Sequence, residues 1–113
     1  MGTQPGDPSD SDLGDGDSGD GAEWPHEASC TIVNIRGLHA RAAAKFVRLA
    51  ETFDAEVMVE RDGAAVPATS ILGLMMLAAS RGSTLAMVAR GADAEAALRA
   101  LVTLVDRGFD ETD

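Results

Sequence analysis

The dipeptide Asp62-Gly63 constrains this chain more than any other feature. Both central positions of a two-residue hairpin turn need positive φ, which Asp tolerates and Gly adopts freely. The flanking runs suit strands. Residues 55–61 alternate, with Ala55, Val57 and Val59 set against Glu56 and Glu60, as in a half-buried strand. Ala64–Pro67 is then the return strand, and Pro67, with no N–H to give a ladder, fits its end or an edge. A chain with a hairpin at its middle cannot build an all-parallel sheet.

The other elements follow from pattern and punctuation. Residues 30–35 (Cys-Thr-Ile-Val-Asn-Ile) are short and β-branched and read as a strand, broken by Arg36-Gly37. Residues 40–53 read as a helix, with Ala42, Ala43, Phe46, Leu49, Ala50 and Phe53 on one stripe. Thr69-Ser70 caps an apolar helix over 71–80, closed by Arg81-Gly82, with Leu74, Leu77 and Ala78 facing the core. Residues 84–90 form a strand. Asp93 caps a last helix whose stripe is Ala94, Ala97, Leu98, Leu101, Val102 and Val105, ending near Arg107-Gly108. The order β-α-β-β-α-β-α predicts an α+β fold: one small, mainly antiparallel four-stranded sheet with three helices on one face.

The charge is uneven. Residues 1–28 hold eight acids and no Lys or Arg, while residues 29–113 hold 11 acids against 9 bases. The first segment, rich in Gly, Asp, Ser and Pro, buries too little apolar surface to offset ordering, so it reads as a disordered acidic tail before a domain over 29–113. Its Asp spacing does not make a calcium loop: a start at Asp10 puts Gly14 and Gly21 at the fifth and twelfth positions, and a start at Asp15 puts Gly19 and His26 there. The balance offers no basic stripe for nucleic acid. The sequence has no apolar run of membrane-spanning length and no signal-peptide layout. One cysteine, Cys30, permits neither an internal disulfide nor a zinc cluster, and no cofactor or metal is expected. The expectation is a cytoplasmic monomer.

Chemistry concentrates in residues 34–47. A Gly ends a strand, His39 stands at the start of a helix, and Arg41 follows two residues later. Free amides and the positive end of the helix dipole meet there, which makes an anion site. That potential favours a neutral imidazole, whose lone pair can act as a nucleophile. By spacing alone, a His near a helix start is more often a plain turn residue; as an acceptor, His39 would rest a phosphoryl group on the helix amides beside Arg41, held by charge-assisted hydrogen bonds.

The stretch Asn34-x-x-Gly37-Leu38-His39-Ala40-Arg41, followed by Ala43-Ala44-Lys45-Phe46-Val47, resembles the active-site signature of the HPr family. These are the histidine-containing phosphocarriers of the phosphoenolpyruvate phosphotransferase system. Residues 68–79 resemble the segment around that family's regulatory serine, and Ala89-x-Gly91-x-Asp93-x-x-x-Ala97-Leu98-x-x-Leu101 resembles its last strand-to-helix join. Asn34 and the Ile-Leu-Gly-Leu-Met-Met run look closest to the nitrogen-related, proteobacterial branch. The resemblance implies an open-faced β-sandwich of four strands and three helices. It also implies phosphorylation of His39 at Nδ1, with Arg41 neutralising the group, enzyme I as donor and an EIIA-type protein as acceptor. Most members have Pro after the Arg, where this chain has Ala42.

Ser70 reads as a helix cap and, by resemblance, as a site for HPr kinase/phosphorylase. Ile71, Leu72 and Met75 would lie on a flank of their helix as an apolar docking patch beside His39 and Ala40, with Arg41, Lys45 and Arg48 as a basic rim for acidic partners. The chain thus reads as a phosphocarrier more than an autonomous enzyme. Two other readings stand beside it. One is a regulatory binding module that controls a kinase or transcription partner without sugar transport. The other is an α+β interaction domain that carries no phosphate.

Overall fold

A computed structural model describes residues 24–111 of the chain. The segment assigned to a disordered tail therefore lies outside the described residues up to position 23. Four strands, β1 (His26–Thr31), β2 (Glu56–Arg61), β3 (Ala64–Pro67) and β4 (Thr84–Arg90), alternate with three helices, α1 (Ala40–Ala50), α2 (Ile71–Met76) and α3 (Ala94–Asp106). The sheet order is β1-β4-β2-β3 and every neighbouring pair is antiparallel. This is the α+β architecture that the element order predicts.

The hairpin forms where Asp62-Gly63 places it: φ is 53° at Asp62 and 87° at Gly63, and Arg61 pairs with Ala64. Alternation then sets the layers. Cys30, Val57, Val59, Leu85, Met87 and Ala89 are buried on one face of the sheet, while Thr31, Glu56, Glu60, Thr84 and Ala86 are exposed. The helices cover the buried face with Ala42, Ala43, Phe46 and Ala50 from α1, Leu74 from α2, and Ala97, Leu98, Leu101 and Val105 from α3.

Three boundaries differ from the sequence reading. β1 lies earlier, at 26–31 and not 30–35, so residues 26–28 belong to the sheet. His26 pairs with Ala89 of β4, and the Trp24 ring stacks 4.2 Å from the Arg90 guanidinium, which continues the edge outward. Val33 and Ile35 are β-branched but exposed, and the chain turns at 34–37, where Gly37 N–H donates to Asn34 O. α1 stops at Ala50 and Thr52-Phe53 form a turn on its end. α2 is only six residues long, and Gly82 does not end it. The left-handed residue is Ala78 (φ 54°), which is exposed where a core position was expected, and Ala79 is buried. That bend aims the Ala79 carbonyl at the Leu38 N–H, 2.9 Å away, so the segment before α1 docks on the end of α2.

Candidate functional site

His39 is the N-cap of α1, with extended backbone (φ −76°, ψ 179°), and its carbonyl accepts from Ala43 N–H. Its side chain does not cap the helix. The amides of Ala40, Arg41 and Ala42 have no carbonyl one turn back, and no other acceptor reaches them among the described residues. Helix geometry thus delivers three donors and the positive end of the dipole beside the imidazole.

The approach to His39 is held from below. Gly37 has φ +66°, and a Cβ there would meet the Ala79 carbonyl oxygen at 2.5 Å. Only glycine lets the loop come so close to α2. Leu38 is buried and His39 is partly exposed.

A carboxylate lies against the ring, which the sequence reading did not contain. Glu111 Oε2 accepts from His39 Nε2, and Asn34 Nδ2 donates to Glu111 Oε1 at 2.9 Å and to Gly37 O at 2.9 Å. The His39 and Glu111 side chains are 15% and 11% exposed. Burial pushes the Glu111 carboxyl up, but hydrogen bonds from Asn34 and His39 and the charges of His39 and Arg36 outweigh it and hold it below its usual range. Nδ1 of His39 has no hydrogen-bond partner among the described residues.

Glu111 reaches the ring because the chain folds back after α3. Gly108, Phe109 and Asp110 are all left-handed (φ 64°, 59° and 62°), and Phe109 is fully buried. Lys45 Nζ donates to the Phe109 carbonyl at 2.7 Å. Lys45 is therefore half-buried and tied to this turn; it is not a free member of a basic rim. The available signal was Phe109, a large apolar residue directly after a Gly at a helix end, where a hydrophobic contact back onto the helix is common.

The remaining expected residues fall in two places. Ala40, Arg41 and Arg48 are exposed on α1, and no carboxylate pairs with Arg41 among the described residues. On α2, Ser70 is the N-cap and its Oγ accepts from Gly73 N–H at 2.9 Å. Ile71, Leu72 and Met75 are exposed, and Met76, not singled out from sequence, is 76% exposed. The Leu38 N–H donates to the Ala79 carbonyl just past α2, which ties the segment that carries His39 to the end of the helix that carries this apolar flank. Asp93 precedes α3 as expected, but its carboxylate accepts from Asp54 N–H at 2.8 Å and not from its own helix.

Residues 26–107 match the family model described as the PTS HPr component phosphorylation site. The chain is 47% identical over 85 residues to the phosphocarrier protein NPr of Shewanella violacea, covering 75% of this chain and 93% of that protein. It is 47% identical over 81 residues to the phosphocarrier protein HPr of Cupriavidus necator, covering 72% of this chain and 91% of that one. A crystal structure of HPr from Thermoanaerobacter tengcongensis superposes with a TM-score of 0.74 at 42% identity, covering 78% of this chain and 99% of that one.

Proposed function

The chain belongs to the HPr family, and on that premise we propose that it takes a phosphoryl group on His39 Nδ1 from phosphorylated enzyme I and passes it to an EIIA-type protein. The observation that carries this is His39 as the N-cap of α1, where among the described residues Nδ1, the three first-turn amides and Arg41 have no partner. The Nδ1 lone pair forms the N–P bond as the donor's bond to phosphorus breaks, its electron pair leaving with the donor. Amides and guanidinium hold the phosphoryl oxygens. Ala42, where most relatives have Pro, supplies one of those amides.

Ile71, Leu72, Met75 and the exposed Met76 form the docking flank, with Arg41 and Arg48 as its cationic edge and Ala40 within the contact. Phosphorylation of Ser70 would add negative charge at that flank and weaken docking of enzyme I. The protein acts as a cytoplasmic monomer; among the described residues no helix is long and apolar enough to cross a membrane. Residues 1–23 form an acidic segment that transfer does not need.

Incubation with phosphoenolpyruvate and enzyme I tests the reading. An acid-labile gain of one phosphoryl group, lost in His39→Ala and retained when residues 1–23 are deleted, is expected. No gain on the wild-type chain would end the carrier reading.

A further inference from the structure

We infer that Glu111 is a positioning residue that sets which nitrogen of His39 carries the proton, an inference that rests on His39 being the phosphoryl acceptor. The hydrogen bonds form a directed chain. The Gly37 carbonyl can only accept, so it fixes Asn34 with its Nδ2 toward the loop. The second hydrogen of that Nδ2 points at residue 111 and demands an oxygen there. The other oxygen of Glu111 meets His39 Nε2 and, being acceptor-only, demands a proton on it. An imidazole with its proton on Nε2 has its lone pair on Nδ1.

Two further observations say that this arrangement is built. Asn34 is 4% exposed and its Oδ1 is buried without a partner among the described residues, so the side chain leaves its own acceptor unsatisfied there while both its donors serve the chain. Such an orphan is unfavourable unless it serves something else. The turn that delivers Glu111 places Phe109 and Asp110 in the left-handed region that L side chains rarely adopt, fastened by the buried Phe109 ring and by Lys45. In transfer, the Nε2 proton stays in place while Nδ1 gives its pair to phosphorus. The positive charge that develops on the ring faces the Glu111 carboxylate.

Only a carboxylate accepts on both sides, which gives a signature that a structural role would lack. In Glu111→Gln, Asn34 claims the amide oxygen. The amide nitrogen then faces His39 Nε2 and donates to it, which drives the ring proton onto Nδ1. Glu111→Ala merely releases the ring. The expected order of phosphoryl uptake is wild type, then Ala, then Gln, with Gln slower than Ala by about 10-fold or more, since a wrong tautomer costs more than a loose one. Adding Asn34→Ala to Glu111→Gln frees the amide to turn and brings the rate up toward that of Glu111→Ala.

Long-range proton–nitrogen correlation spectra of the labelled imidazole read the tautomer with no donor present. The wild type should show Nε2–H and Glu111→Gln a shift toward Nδ1–H, in spectra that also report a folded chain. A wild-type ring protonated on Nδ1, or a Gln variant with wild-type tautomer and a rate no lower than Ala, overturns the inference. A wild-type chain that shows the expected tautomer but takes no phosphoryl group from enzyme I refutes the function and leaves the tautomer assignment standing.

Discussion

Gly37→Ala isolates what holds His39 in place. Two costs add at this position. A left-handed backbone costs an L residue about 1–2 kcal/mol, and φ here is +66°. The new Cβ would also sit 2.5 Å from the Ala79 carbonyl oxygen and 3.0 Å from Ser80 Cα, both backbone atoms that cannot rotate away. Forcing such atoms apart costs about 1–3 kcal/mol, and the same carbonyl accepts the Leu38 N–H. The sum is a loss of about 2–5 kcal/mol, a large part of the 5–15 kcal/mol of a typical domain. Gly63→Ala is the internal control: φ is +87°, but a Cβ there meets nothing within 4 Å, so only the backbone cost applies. Urea denaturation of both variants, with unchanged m-values, measures the difference. Gly37→Ala should be less stable than Gly63→Ala by about 1–3 kcal/mol. Equal losses would refute the claim that close approach to α2, and not φ alone, requires glycine.

Arg41→Ala should slow phosphoryl uptake about 10-fold or more while stability stays within about 0.5 kcal/mol, since the guanidinium is exposed and unpaired among the described residues; a large fall in melting temperature would contradict this. Ser70→Ala removes the acceptor for Gly73 N–H and should cost about 1 kcal/mol in urea, whereas Ser70→Asp keeps a capping oxygen and most of the stability. Burial, with a smaller contribution from the Asp106 charge, pushes the Cys30 thiol from its ordinary 9.0 up to about 11. The unfolded thiol then loses its proton first, so the Cys30 contribution to stability is constant below pH 9 and falls by roughly 2–3 kcal/mol as pH rises toward 11. A Cys30→Ala variant that shows the same alkaline decline as wild type would assign the decline elsewhere.

What the sequence made legible was local. The Asp62-Gly63 turn, the Ser70 cap and the alternation of β2 each depend on a few adjacent residues, and each stands where the pattern places it. What it hid was settled between distant segments. Residues 26–28 read as tail by composition, yet they pair with β4, and a pairing across some sixty residues leaves no mark on local composition. Gly82 looked like the stop of α2, but the helix ends at Met76 because Ala78 turns to present Ala79 to the Leu38 loop. Lys45 carries a charge that a helical wheel assigns to the surface, and only the folded-back Phe109 carbonyl explains its half-burial. Spacing and signature single out His39 and Arg41; Glu111 lies 72 positions from His39 and has no periodic relation to it.

That late addition changes the electrostatics of the site. From α1 alone, His39 sits in a positive field, set by the helix dipole, three amides and Arg41. Such a field welcomes the phosphoryl oxygens but opposes the charge that the ring itself acquires when a nitrogen gives its pair to phosphorus. Glu111, held by the Asn34 amide, places the opposite sign on the far edge of the ring. Under the proposed transfer, the imidazole would be polarised across its plane, with donors where the anion would arrive and a carboxylate where the cation would develop. A relay must both accept and release its cargo. A field positive on every side would stabilise the phosphate and destabilise the ring that bears it, so the two halves of the site stabilise the two halves of one zwitterion. The separation comes from two helix ends, the start of α1 and the turn after α3, which meet at His39.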